Sequence, residues 1–232
     1  MARAGVVTID GPAGSGKSTT ARAVARKLGF RHLDSGALYR AIACALLSEH
    51  GEGGLWETLT EEELSTLPLS IHARGGTFEI RLGEQVLGPE LRTEAVTSHA
   101  SRLARLPAVR GALLDLQRSA GQEGGLVADG RDMGTVVFPD ADVKVFLVAD
   151  LEERARRRLL ERTGSEPEAA EIRNEAEIIA RRDRRDSERA HAPLRKPQGA
   201  LEIDTTRLTF EEQVRAVVDL ARRRLGDEGQ NR

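Results

Sequence analysis

The fold of this chain is decided by the stretch Val6-Val7-Thr8-Ile9-Asp10-Gly11-Pro12-Ala13-Gly14-Ser15-Gly16-Lys17-Ser18-Thr19. An apolar run, typical of a buried strand, leads through a glycine-rich turn into a helical pattern, and the turn has the P-loop spacing G-x-x-x-x-G-K-[ST]. Glycines let the backbone point its N–H groups at an anion, and the helix start adds its positive dipole end. Lys17 is expected to reach the outer phosphates, and the Ser18 hydroxyl is expected to bind Mg²⁺. The stretch therefore predicts a polyphosphate site, and a glycine-rich turn without a ligand is the disfavoured alternative.

The composition describes an ordinary globular protein. Of 232 residues, 39% are hydrophobic and 31% are charged, and the net charge of -2 lacks the basic excess of a general nucleic-acid binder. The apolar runs fall short of the roughly 20 residues that a membrane span needs, so we expect a cytoplasmic protein without a membrane partner. The single cysteine, Cys44, excludes an internal disulfide and is expected to be packed in a helix. The length fits one α/β domain, with or without insertions.

A second candidate site follows the next predicted strand, residues 30–33. There Ser35 precedes a helical pattern that it is placed to cap, and Arg40 lies one turn further along. A hydroxyl and a guanidinium at this spacing could bind a base or a phosphate. On these residues alone, a helix cap beside a surface arginine is the better interpretation.

The pattern changes its period between residues 69 and 87. Apolar residues alternate with polar ones in three short segments, which predicts a small antiparallel meander in an otherwise βα chain. A capping box at Thr60 and Glu63 predicts a short helix before it. We interpret the segment from about Trp56 to about Leu91 as an insertion that projects from the parent sheet, and an edge hairpin of the main sheet is the alternative.

Two later strands end in charged residues. The first, residues 126–129, is followed by Arg131 and Asp132, and the second, residues 143–148, leads to Asp150. Ligands bind at the carboxyl ends of strands in open parallel sheets, so Arg131 and Asp132 are placed for contact with a ligand.

Two arginine-rich helices follow. On the first, Arg154, Arg157 and Arg158 share one face and Arg156 projects to the side; a solvated face with i,i+4 ion pairs is the alternative. On the second, Arg182, Arg185, Asp186 and Arg189 share a face that could bind phosphate, with Asp186 reading a ligand amine or holding the arginines.

Four motifs together closely resemble those of bacterial cytidylate kinases: Ile-Asp-Gly-Pro-Ala-Gly-Ser-Gly-Lys-Ser-Thr (9–19), Leu-Asp-Ser-Gly-Ala-Leu-Tyr-Arg (33–40), Ala-Asp-Gly-Arg-Asp-Met-Gly-Thr-Val-Val-Phe-Pro-Asp-Ala (128–141) and Arg-Arg-Asp-Ser-Glu-Arg-Ala-His-Ala-Pro-Leu (184–194). The resemblance implies an α/β, P-loop nucleoside monophosphate kinase fold: a parallel sheet core flanked by helices, with an inserted antiparallel NMP-binding subdomain and a short lid. The implied core covers residues 1–55 and 105–226, the insertion residues 56–104, and the lid residues 154–175.

The resemblance also implies the activity, which is transfer of the γ-phosphoryl group of ATP to CMP or dCMP, with Mg²⁺ bound together with ATP at Ser18. The implied ATP-binding residues are Gly11, Pro12, Ala13, Gly14, Ser15, Gly16, Lys17, Ser18 and Thr19. Those implied for CMP are Ser35, Arg40, Arg110, Arg131, Asp132, Arg182, Asp186 and Arg189, of which Ser35, Arg182 and Asp186 are linked to cytosine. The implied catalytic residues are Lys17, Arg154, Arg157 and Arg158. Phosphoryl transfer of this kind needs no general base. We expect a monomer that serves pyrimidine nucleotide metabolism and binds no nucleic acid.

Other functions compatible with a P-loop remain open. The chain has no N-K-x-D guanine signature and no L-S-G-G-Q element, which disfavours a GTPase and an ABC-type ATPase. A nucleotide-sensing regulator would keep the P-loop but would need no second arginine-lined site. A UMP or shikimate kinase is the nearest enzymatic alternative, and a panel of acceptors would separate these.

Overall fold

The computed structural model describes residues 5–51 and 56–226, so the expected boundary at residue 55 lies outside the described residues. The strands are β1 (Val6–Asp10), β2 (Arg31–Asp34), β3 (Leu69–Arg74), β4 (Thr77–Leu82), β5 (Gln85–Leu87), β6 (Leu126–Gly130), β7 (Val143–Val148) and β8 (Leu201–Asp204). The α-helices are α1 (Lys17–Leu28), α2 (Ser35–His50), α3 (Glu61–Ser65), α4 (Glu94–Leu103), α5 (Pro107–Ser119), α6 (Leu151–Thr163), α7 (Ala169–Ser187) and α8 (Phe210–Leu225). Short 3₁₀ segments cover Trp56–Thr58 and Pro89–Arg92, and a π-helix covers Met133–Val137.

The strands form one mixed sheet in the order β3-β4-β2-β6-β1-β7-β8, with β5 on β4. Strands β2, β6, β1, β7 and β8 run parallel, so their carboxyl ends meet at one edge, which carries the P-loop and the charged residues after β2 and β6. The sheet topology confirms the predicted α/β class.

The antiparallel meander is present, but it joins the main sheet. Strand β4 lies parallel to β2 through one residue pair, His32 and Thr77, whereas β3, β4 and β5 pair in antiparallel register. The meander therefore reaches the edge of the sheet through this one pair, and the division into core and insertion stays a prediction.

Two apolar clusters cover the two faces of the sheet. On one face, residues of β1 and β7 such as Val7, Ile9 and Val145 pack against α1 and α8. On the other face, α2, α4 and α5 pack against β2, β6 and the meander, and the half-buried Cys44 contacts this cluster. None of the described helices is long and apolar enough to cross a membrane.

Of the two predicted helix caps, one matches the structure and one does not. The capping box at Thr60 is confirmed. The prediction that Ser35 caps α2 is wrong, since Asp34 is the N-cap and its carboxylate accepts the N–H of Ala37 at 3.0 Å. Ser35 is the first helical residue, and its hydroxyl accepts a hydrogen bond from Gln117 Nε2 at 2.8 Å.

Candidate active site

The P-loop joins β1 to α1, and residues of α6 and α7 contact its backbone. Gly14 and Gly16 adopt left-handed conformations, with φ of 75° and 79°. Asp183 accepts the N–H of Ala13 at 2.9 Å, and the Arg154 guanidinium donates to the Ala13 carbonyl at 2.9 Å and pairs with Asp183. These contacts fix the backbone of the P-loop at Ala13.

Arg154 supports the P-loop and lines neither of the cavities described below. It is buried, with 8% of its surface exposed, and its Nε also donates to the Ala149 carbonyl at 3.0 Å. Arg157 and Arg158 line a cavity that Arg154 does not reach, whereas Arg156, which we expected to project aside, lines that same cavity. Helix α6 thus presents residues 156–158 to the cavity and uses Arg154 to support the loop.

An inner cavity of about 210 Å³ lies between the P-loop, α2, α4, the end of β6 and α7. Lys17 and Ser18 line this cavity on its P-loop side. All eight residues expected around CMP also line it: Ser35, Arg40, Arg110, Arg131, Asp132, Arg182, Asp186 and Arg189. Residues as distant in sequence as Ser35 and Arg189 thus line one cavity.

Most arginines of the inner cavity are held by aspartates. Asp132 pairs with Arg110, and Asp186 pairs with Arg131 at 2.8 Å and with Arg189. Burial raises the pKa of Asp186, but the charges of Arg131 and Arg189 outweigh it and hold that pKa below its usual value. Burial dominates at Asp132 and raises the pKa of its carboxyl group. Asp186 is therefore a charged hydrogen-bond acceptor at neutral pH.

Arg182 and Arg40 have unused hydrogen-bonding capacity. The Arg40 guanidinium pairs with Asp34 at 2.9 Å, yet its Nε is buried without a partner. Among residues 5–51 and 56–226, no side-chain hydrogen bond or ion pair engages the Arg182 guanidinium, and its Nε is also buried without a partner. Burial, followed by the charge of Arg131, lowers the pKa of Arg182 to about 10, although the charge of Asp186 opposes this shift. A guanidinium with unused donors suits a site that receives a ligand.

The end of β6 carries a second polar cluster, centred on the buried Asp129. It accepts hydrogen bonds from Ser18 Oγ at 2.5 Å and from His32 Nε2 at 2.7 Å. Burial alone would raise the pKa of Asp129, but the hydrogen bond and charge of His32, with those of Lys17 and Ser18, lower it. Lys17 donates to the Pro12 carbonyl at 3.2 Å, and burial, reinforced by Arg131, lowers its pKa to about 7.

An outer cavity of about 720 Å³ lies on the other side of the P-loop, against α6 and the start of α8. The Arg157 guanidinium donates hydrogen bonds there to the hydroxyl of Thr205 at 3.0 Å and to the backbone carbonyl of Thr205 at 2.6 Å. Arg158 forms an ion pair with Glu175 at 2.9 Å. Four residues line both cavities and mark their junction: Gly14, Arg40, Arg158 and Arg182.

Sequence reasoning missed two groups of lining residues. Thr97, Ala100 and Ser101 of α4 and its C-cap residue Ala104 line the inner cavity, and the buried Ser101 hydroxyl has no hydrogen-bond partner. Their spacing of small residues on one helical face was a usable signal. Leu208, Phe210 and Gln213 line the outer cavity from the chain after β8, where the sequence offers only a helix cap as a signal.

The known proteins similar to this chain include members of one enzyme family and more distant solved structures. The family model for cytidylate kinase matches residues 7–223. The cytidylate kinase of Pseudomonas putida (strain W619) is 46% identical over 226 residues, which cover 96% of this chain and 98% of that protein. The cytidylate kinase of Marinomonas sp. (strain MWYL1) is 46% identical over 220 residues, covering 91% and 93% of the two chains. A solved shikimate kinase from Bacteroides thetaiotaomicron aligns with 15% identity and a TM-score of 0.46, covering 93% of this chain and 97% of that one.

Proposed function

Since this chain belongs to the cytidylate kinase family, we propose that it transfers the γ-phosphoryl group of ATP to CMP or dCMP, giving ADP and CDP or dCDP. One observation carries the proposal: the P-loop lies between two cavities that meet at Gly14, Arg40, Arg158 and Arg182. A protein that only sensed a nucleotide would need one of these cavities. Two sites that share an arginine-lined junction suit a reaction between two phosphates.

ATP is proposed to occupy the outer cavity, with its phosphates along the P-loop and its base near Leu208 and Phe210. Lys17 then lies beside the outer phosphates. The residues present also fit Mg²⁺, because the Ser18 hydroxyl and the Asp129 carboxylate provide adjacent hard oxygen donors. When bound, Mg²⁺ neutralises charge on the donor phosphates.

CMP is proposed to occupy the inner cavity. Arg40, Arg110 and Arg131 bind its phosphate, and Asp186, with Arg182 and Ser35, faces the cytosine. A charged Asp186 accepts a hydrogen bond from the 4-amino group, which uracil lacks, and a buried acceptor without a donor costs binding energy. The acceptor site can therefore discriminate CMP from UMP.

Transfer is proposed to occur at the junction, where Arg158 neutralises the charge that spreads over the transferring oxygens. Arg157 contributes from the outer cavity, and Arg154 contributes by holding the Ala13 carbonyl. Residues 56–104 and 154–175 are proposed to close over the nucleotides and exclude water. A cytoplasmic monomer acting in pyrimidine nucleotide metabolism completes the proposal.

The test is an ADP-release assay with Mg²⁺, ATP and a panel of nucleoside monophosphates. We expect CMP and dCMP to support turnover, UMP to support much less, and AMP and GMP to support none above the rate without acceptor. Equal ADP release with and without every acceptor would refute the proposal, and a preference for UMP would identify the enzymatic alternative.

A further inference from the structure

Asp10 is a buried carboxylate that neither cavity uses. It ends β1, directly before Gly11 of the P-loop, and none of its surface is exposed. Its two oxygens accept the backbone N–H groups of Met133 and Gly134, each at 2.8 Å. Burying a carboxylate is costly unless hydrogen bonds compensate, so these two bonds are the reason that Asp10 can lie here.

These two N–H groups belong to the first two residues of the π-helix Met133–Val137. They donate to Asp10 and not to the side chain of the N-cap residue, Asp132. An aspartate at an N-cap ordinarily accepts the N–H groups of its own helix. Asp132 makes no such bond, and instead its carboxylate pairs with Arg110 and lines the inner cavity. One aspartate therefore caps the helix from a neighbouring strand, and the other faces the cavity.

We propose that Asp10 is a positioning residue for the acceptor side of the site: by capping the π-helix, it leaves Asp132 free to hold Arg110. This inference rests on the proposed function, in which Arg110 binds the acceptor phosphate. Without the Asp10 carboxylate, the N–H groups of Met133 and Gly134 need another acceptor, and the Asp132 carboxylate lies next to them in sequence. Turning Asp132 onto them would release Arg110 into the cavity.

The segment around Gly134 leaves little room for another arrangement. A Cβ atom on Gly134 would lie 2.8 Å from both Thr8 Oγ1 and Pro197 Cγ, so this part of the π-helix packs directly against β1 and the chain before β8. Because Asp10 precedes Gly11, the same residue fixes the start of the P-loop and the N-terminus of the π-helix. Asp10 thereby fixes the position of the P-loop, on the ATP side of the site, relative to the π-helix, on the CMP side.

The test is Asp10→Asn, which keeps the shape of the side chain but replaces one acceptor oxygen with an NH₂ group. The free energy of one such hydrogen bond corresponds to about a tenfold change in a binding constant. We therefore expect KM for CMP to rise about tenfold and KM for ATP to change less than about twofold. Asp142→Asn is the matched control, because Asp142 accepts the N–H of Val6 at 2.9 Å at the opposite end of β1. It is expected to change neither KM.

A double-mutant cycle with Asp132→Asn separates positioning from general stability. If Asp10 acts through Asp132, then Asp10→Asn raises KM for CMP in the wild-type background but adds little in the Asp132→Asn background. Additive effects, or equal rises of KM for ATP and CMP, would overturn the inference. If Asp10→Asn is not recovered folded, Asp10→Ser takes its place, because its smaller side chain keeps one acceptor.

A crystal structure of the Asp10 variant distinguishes failure of this inference from failure of the proposed function. Absence of CMP phosphorylation by the wild-type protein would refute the proposed function alone. The positioning inference is then decided by geometry: Asp132 turned onto the N–H of Met133 supports it, and Asp132 still paired with Arg110 overturns it.

Discussion

Binding of ATP is expected to take up nearly one proton at Lys17 when the pH is above neutral. In the free protein, burial and the charge of Arg131 lower the pKa of Lys17 from 10.5 to about 7. Near pH 8, about a tenth of the Lys17 side chains are therefore charged. The phosphates of ATP bring negative charge beside the amine, which favours its charged form and raises its pKa again.

The size of the effect follows from linkage. If the pKa of Lys17 returns toward 10.5 in the complex, uptake is about 0.9 proton per ATP near pH 8 and about 0.1 near pH 6. Affinity for MgATP then falls about tenfold between pH 8 and pH 9. The folding stability of the free protein depends on pH with the opposite sign to ATP affinity. Between about pH 7 and pH 10.5 the folded state binds fewer protons at Lys17 than the unfolded state, so Lys17 makes the free energy of unfolding rise with pH in this window.

The assay is titration calorimetry of MgATP near pH 8 in two buffers with different enthalpies of ionisation. Lys17→Arg should abolish the uptake, because a guanidinium stays charged throughout this range. Burial raises the pKa of Asp10 to about 7, so Asp10→Asn serves as the second control and should retain the uptake. Uptake below about 0.2 proton in the wild type, or an unchanged value in Lys17→Arg, would refute the reasoning.

Three further substitutions test the site. Arg158→Ala should lower kcat at least about a hundredfold with little change in KM for CMP. The control is Arg162→Ala, since Arg162 is the other partner of Glu175 but lines neither cavity, and this variant should leave kcat nearly unchanged. Similar kcat values for the two variants would contradict the assignment of Arg158 to the junction. Asp186→Ala should weaken CMP binding more than ATP binding and reduce the preference for CMP over UMP, and equal losses measured by calorimetry would mark Asp186 as structural. Gly14→Ala should lower Tm and kcat together, because its φ is 75° and the new Cβ would lie 2.9 Å from a backbone oxygen of α6; an unchanged Tm would show that the loop relaxes.

Sequence patterns predicted those parts of the fold that depend on local chemistry. The β1 strand, the P-loop and α1 follow from an apolar run, glycine spacing and helical periodicity, and the structure places them as expected. The carboxyl ends of parallel strands share an edge, so Arg131 and Asp132 could be assigned to a ligand cavity from the sequence. The cap of α2 could not be assigned with the same certainty, because Asp34 and Ser35 are both good N-cap residues. The choice between them is set by where β2 ends in its pairing with β6.

Helical periodicity could not assign the arginines of α6. It shows that Arg154 and Arg158 lie on neighbouring parts of one face, but not which neighbour each part meets. Asp183 and the Ala13 carbonyl engage Arg154, and they come from distant parts of the chain. The capping of the π-helix by Asp10 was beyond sequence reasoning for the same reason, since a residue 123 positions away supplies the acceptor.

The charge of the inner cavity explains how a chain with a net negative charge can bind an anionic nucleotide. Seven basic and four acidic side chains line this cavity, although the whole chain has a net charge of -2. The aspartates hold Arg110, Arg131 and Arg189 in place before a ligand arrives, which lowers the cost of bringing like charges together in a buried site. Arg182 forms no ion pair among the described residues, so its guanidinium keeps donors for an incoming ligand. Locally concentrated positive charge, and not the charge of the whole chain, therefore draws nucleotides to the site.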